Sequence, residues 1–236
     1  MRPLPPFSVR SSSRARRVRL TVTARHGLVV SVPHGWRGDA DEVVRSKLSW
    51  AEQALASVSE RRKLFLGGAD ALLPDVIELR VAGETWPVHY RHTGASGVRV
   101  IADGGVLEVR GHIDDAEACL AALSRWLDRA SRDLLLPLLA QTAEHAEVAY
   151  ASARVRRQRT RWGSCTSHST ISLNRTLVFL PEHLVRALML HELAHTRVLD
   201  HSVRFWATLA GLDPAWEMHR VQLRDAAILV PAWAEA

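Results

Sequence analysis

The chain runs to 236 residues with 47% hydrophobic and 24% charged content, enough for a full core and incompatible with a disordered polymer. Its cysteines, Cys119 and Cys165, are too few for a disulfide framework, and no apolar run approaches the ~18 residues of a membrane helix. A net charge of +6, carried by arginine everywhere except at Lys47 and Lys63, admits an anionic partner without requiring one.

The first ten or so residues, rich in Pro and Ser, read as a loose lead-in. A basic run, Arg14-Ala15-Arg16-Arg17-Val18-Arg19, then leads into alternating Val18, Leu20 and Val22, a strand with one buried face. His26-Gly27 predicts a turn, and Leu28–Val32 a returning strand that ends at Pro33. Asp39–Ala56 reads as a helix, started by Asp39 or Asp41, with Val44, Leu48, Ala51 and Leu55 on one stripe. Short strands follow at Val76–Val81, Trp86–Arg91, Val98–Ile101 and Val106–Val109, with turns at Gly83-Glu84 and Asp103-Gly104-Gly105. The front part is therefore expected to be mainly antiparallel β with one helix. His34, His89, His92 and His112 show no ligand spacing and read as ordinary surface or strand residues.

Near residue 112 the period changes from two to helical. Leu120, Leu123, Leu127, Leu134 and Leu138 continue it to about Tyr150, and Pro137 is expected to kink or divide that helix. The fold class expected is α+β, with a β-rich part over residues 1–112 and a helical part over 113–236. No flexible linker separates them.

A second basic run, Arg154 to Arg161, leads into a predicted hairpin, in which Arg159–Cys165 and Thr170–Asn174 flank a polar turn at Thr166–Ser169. An edge strand at that position can add an extended peptide through main-chain hydrogen bonds. Arg161 or Asn174 could help to hold a developing oxyanion. Cys165 reads as a small core residue.

Pro181 and Glu182 suit the start of a helix whose Val185, Leu188, Met189, Leu190, Leu193 and Ala194 make it apolar on several sides. On it stands His191-Glu192-Leu193-Ala194-His195. Residues four apart share a helix face, so His191 and His195 can present two imidazole nitrogens to one ion. Glu192 is rotated away from that pair, placed to take a proton from water rather than to bind the metal. His201 could not converge on an unbroken helix, so the helix must stop within Thr196–Asp200. Asp200 tolerates a left-handed or turn conformation, and Ser202 could cap a new helix near Val203. Val198 stands where metzincins carry a glycine, so a metzincin is not read.

The Arg161-Trp162-Gly163-Ser164-Cys165 run, the Ile171–Asn174 strand, the HExxH helix and His201-Ser202-Val203-Arg204-Phe205-Trp206 resemble the YgjP-like metallopeptidase family, related to SprT-like zinc proteases. The N-terminal strand pair is similar to the family's front half. The resemblance implies a zincin-like catalytic domain, one zinc ion per chain on His191, His195 and His201, and Glu192 as base. Family members often carry a further His at the position of Val198. Arg161, Arg204 and His219 are candidates for steadying charge, while Phe205, Trp206 and Trp162 read as aromatic packing around the helix ends.

The function expected is a zinc metallopeptidase acting on a peptide or protein, with a cytoplasmic location, since the start lacks an apolar signal core, and no membrane association. One alternative is a metal-dependent nucleotide pyrophosphohydrolase, which the arginines would suit. Another is a nucleic-acid-binding module with a structural metal.

Overall fold

The computed structural model describes residues 2–13, 15–23, 26–66 and 73–235. Arg14, at the head of the first basic run, lies outside the described residues. The chain forms two compact units, Met1–Gly67 and Gly68–Ala236.

The first unit is a three-stranded sheet with two helices. Strands β1 (Phe7–Ser12), β2 (Arg19–Thr23) and β3 (Gly27–Pro33) lie in the order β1-β3-β2. The expected pair β2–β3 is antiparallel, turning at Gly27, whose positive φ of 57° suits glycine. The expected loose lead-in instead contains β1, which runs parallel to β3 with Phe7 opposite Leu28. Its mostly exposed residues give it no alternation detectable in sequence; main-chain pairing and Phe7 hold it. The predicted helix becomes two, α1 (Ala40–Ser46) and α2 (Leu48–Leu66), and Asp39 caps the first by accepting from the Asp41 amide. Leu28, Val30, Val32, Val44 and Ala51 form this unit's core.

The second unit begins with a sheet of β4 (Val76–Leu79), β5 (Glu84–His92), β6 (Val98–Asp103) and β7 (Val106–Gly111), ordered β4-β5-β7-β6. The central β5–β7 pair is parallel, against the antiparallel expectation, while its flanking pairs are antiparallel. Helix α3 (Ala116–His145) follows, capped by Asp115 and continuous through Pro137. It is not divided there, because its buried stripe of Leu123, Leu127, Leu135 and Leu139 is gripped on both sides of the proline. The change of period near residue 112 is thus a change of element, not a boundary between compact units: Leu107 and Val109 share one core with Leu123 and Leu127.

A second sheet of the unit contains β8 (Ser152–Arg156), β9 (Gly163–Cys165) and β10 (Thr170–Asn174) in the order β8-β10-β9. The β9–β10 hairpin is antiparallel and shorter in its first strand than expected; β8 adds a parallel strand on the other side. A buried 3-10 turn, Arg175–Phe179, joins β10 to α4 (Glu182–Ala194), with Pro181 at the cap position rather than in the first turn. Then come α5 (Val203–Leu212), α6 (Trp216–Asp225) and α7 (Ala232–Glu235), the last two separated by a 3-10 turn at Ala226–Leu229. The architecture is mixed α+β. Among the described residues, no helix is long and apolar enough to cross a membrane.

Candidate metal centre

The site is built at the C-terminal end of α4. Leu184, Val185, Leu188, Met189 and Leu193 bury this helix on several sides, which carries Glu192 and His195 into the interior. Helix geometry sets His191 and His195 on one face, with ring centroids 4.9 Å apart. The helix ends immediately afterwards, where the Thr196 hydroxyl donates to the Leu193 carbonyl at 2.8 Å. A turn then forms around Asp200, whose Oδ1 accepts from the Ser202 amide at 3.0 Å. Ser202 occupies the cap position of α5, although its side chain makes no capping bond.

That turn brings His201 back to the helix. Its Nε2 lies 3.2 Å from Nε2 of His191, and a ligand atom from each of His191, His195 and His201 lies within 4.8 Å of the others. Two nitrogens bound tetrahedrally at ~2.0–2.1 Å are about 3.3 Å apart. The separation therefore fits two imidazoles converging on one ion. Nδ1 of His195 lies 3.0 Å from the Val198 carbonyl oxygen. A carbonyl only accepts, so Nδ1 carries the hydrogen and Nε2 presents its lone pair. The Val198 main chain thus orients the His195 ring.

Aromatic rings hold the arrangement. Phe205 is fully buried and stacks on His195 with centroids 4.3 Å apart, touching His191 and His201 edge-on. The Trp206 indole donates to the His201 carbonyl at 3.1 Å and stacks on Trp216. Burial pushes the His191 pKa down to about 4, helped by its two neighbouring histidines and Arg220. Burial also lowers that of His195. Both are neutral near pH 7, as metal ligands must be.

Glu192 is 4% exposed, and burial pushes its carboxyl up to about 8 against the pull of the Arg161 charge. The strand beside it is β9. A Cβ on Gly163 would meet Oε1 of Glu192 at 2.8 Å and its Cγ at 2.9 Å, so the glycine makes room for this carboxylate.

The other sequence candidates are scattered. Arg161 is exposed and acts electrostatically on Glu192. Asn174 is fully buried: its amide donates to the carbonyls of Gln158 (2.7 Å) and Arg161 (2.9 Å), and its Oδ1 accepts from Thr176. With both amide hydrogens engaged it offers no donor to a substrate, so the oxyanion role expected of it is replaced by shaping the loop that carries Arg161. Arg204 lies exposed in the first turn of α5, its charge acting on Asp200. His219 is engaged elsewhere: Nδ1 lies 2.8 Å from Asp213, and its ring lies 6.0 Å from that of His183. Sequence reasoning did not single out Arg220. Its guanidinium sits 4.9 Å over the Trp206 ring, close enough for its charge to bear on His191. Only the crossing of α6 beside α4 and α5 brings it there.

The second basic run is partly engaged by the fold itself. Arg154 donates to the Ser172 hydroxyl, and Arg157 pairs with Asp128 at 2.6 Å.

The model of the YgjP-like metallopeptidase domain matches residues 16–226 of the chain. No curated protein matches it. Among solved structures, the chain is similar to the metallopeptidase zymogen abylysin of Pyrococcus abyssi, with 21% identity and a TM-score of 0.34. It is also similar to the zymogen jannalysin of Methanocaldococcus jannaschii, with 15% identity and a TM-score of 0.32. Each alignment covers 38% of this chain and 92% of the other. At this distance neither likeness bears on the chemistry of the chain.

Proposed function

Because the chain belongs to the YgjP-like metallopeptidase family, we propose that its second unit is a zincin-like, zinc-dependent peptidase, with His191, His195 and His201 as ligands and Glu192 as general base. The observation that carries this reading is the convergence of three imidazoles, two of them 3.2 Å apart at their Nε2 atoms. Three nitrogen donors suit zinc and leave a coordination position for chemistry.

A zinc ion held there supplies Lewis acidity, which makes water easier to deprotonate and a carbonyl easier to attack. The chain's own residues do the rest. His195 keeps its orientation through Val198, and Phe205 shields the ligands from water on one side. Glu192 takes a proton from the attacking water on a carboxylate oxygen and returns it to the departing amine. Burial disfavours its charged form, and a cation held beside it would favour the ionised, basic form. Arg161 adds positive charge near the carboxylate, and Arg220 near His191.

The edge position of β9, next to Glu192, favours an extended peptide as substrate. Ser172 and Asp128 already occupy Arg154 and Arg157, which weakens the case for nucleotide phosphates.

Two measurements test the reading together. Elemental mass spectrometry of the purified chain should find about one tightly held zinc, lost in His201→Ala. Hydrolysis of a denatured protein should fall about 10²–10⁴-fold in Glu192→Gln while the metal is retained. Unchanged hydrolysis in Glu192→Gln would remove the proposed base, and unchanged zinc in His201→Ala would remove the third ligand.

A further inference from the structure

Two histidines far apart in the sequence meet at one corner of the second unit. His92 ends β5 and is paired across the parallel β5–β7 ladder with Gly111. The next residue after Gly111 is His112, which therefore emerges beside His92, with ring centroids 6.0 Å apart. Gly111 stands where the backbone leaves no room for a side chain. Its φ is 135°, and a Cβ there would stand 1.9 Å from the Gly97 carbonyl oxygen. Its carbonyl accepts from the amides of both Thr93 and Ile113, each at 3.0 Å, closing the strand end into a tight turn.

The same turn delivers Asp114, whose carboxylate lies 3.8 Å from Nε2 of His92. A ligand atom from each of His92, His112 and Asp114 lies within 4.8 Å of the others. Neighbouring charges are engaged separately: Arg91 and Arg110 both pair with Glu108, and Asp115 caps α3 by accepting from the Ala118 amide.

We propose that His92, His112 and Asp114 form a second, exchangeable site for a divalent first-row transition metal, independent of the three histidines at the end of α4 and in the turn before α5. Two imidazoles and a carboxylate suit zinc, cobalt, nickel or copper, and water completes the coordination. Ligands bound tetrahedrally lie about 3.3 Å apart, so the 3.8 Å pair must close by a few tenths of an ångström. Side chains 55% and 77% exposed can do so by rotation. Binding would tie the end of β5 to the turn that enters α3, so bound metal stabilises this unit by mass action. These donors stand in water, whereas His195 is buried and oriented by Val198. The second site is accordingly the weaker and faster-exchanging one.

The test is equilibrium dialysis of the full chain against increasing zinc chloride, with zinc per chain counted by elemental mass spectrometry. Wild type should reach about two equivalents, the second at least tenfold weaker than the first. His112→Ala and Asp114→Asn should stop at about one and keep the wild-type melting temperature in chelator. A wild type that saturates at about one, or a second equivalent that survives His112→Ala, overturns the proposal. A plain ion pair between His92 and Asp114 that holds no metal would give the single equivalent. His201→Ala separates the two sites: loss of the tight equivalent alone supports both assignments. Loss of the tight equivalent in His112→Ala, with its retention in His201→Ala, would overturn the peptidase centre and leave a metal at the strand end.

Discussion

Gly163 and Glu192 occupy each other's space: an added Cβ at the glycine would stand 2.8 Å from Oε1 of the carboxylate. The φ of Gly163 is not among the positive values of this chain, so the backbone itself would accept alanine. Gly163→Ala therefore tests the placement of the proposed base and little else. Kcat should fall at least about tenfold, because an ångström of misplacement is costly in an oriented site. The metal content should stay at the wild-type level. Ser164→Ala on the same strand serves as the control and should change kcat less than about twofold. Equal losses in the two variants would count against a specific constraint on Glu192.

Phe205 is completely buried and packs on all three histidines. Phe205→Ala should destabilise the unit by about 3–5 kcal/mol, as expected for a large core truncation. Phe205→Leu retains more volume but not the stacked ring on His195. It should fold and lose zinc to a competing chelator about 10–100-fold more readily, the usual effect of disturbing a ligand's support. Chelator competition followed by melting separates the two effects.

Asn174 holds the main chain of Gln158 and Arg161 from beneath. Asn174→Ala leaves two carbonyls and the Thr176 amide without these partners, and should lower stability by about 2–4 kcal/mol. Asn174→Asp should do likewise, since a carboxylate cannot donate to those carbonyls. A denaturation midpoint unchanged in both variants would contradict the assigned role.

Arg175 is 2% exposed, and its guanidinium donates to Asp128, to Ser124 and to the Ala234 carbonyl. Partial burial raises the Asp128 pKa, but hydrogen bonds from Arg157 and Arg175 outweigh it and hold the carboxyl below its ordinary value. The sign of the pH effect follows. A depressed folded-state pKa adds stability above the unfolded value, and this is lost as pH falls through the folded value. Acid denaturation of wild type should therefore steepen below about pH 4. Asp128→Asn should be about 3 kcal/mol less stable at neutral pH and lose less on acidification, because Arg175 and Arg157 lose a carboxylate they share. Arg157→Ala, which removes a half-exposed partner, should cost about 1 kcal/mol or less.

Local spacing was enough to pick out His191, Glu192 and His195, because a helix repeats every ~3.6 residues and its faces can be counted along the chain. It also required α4 to stop before His201, and the turn at Asp200 is where the chain reverses. The same local logic predicted the β2–β3 and β9–β10 hairpins and the start of α5. What spacing could not reveal depends on residues distant in sequence. Parallel pairing of β1 with β3 and of β5 with β7 leaves no local mark, since each strand is satisfied by a partner reached only through other elements. The roles of Gly163, Asn174, Val198 and Arg220 arise from packing against side chains or carbonyls that their own neighbours do not announce. His92 and His112 looked unrelated until the β5–β7 register set one beside the other. Periodicity reports which face of an element is buried; only the packed structure decides which donors, charges and carbonyls share that face.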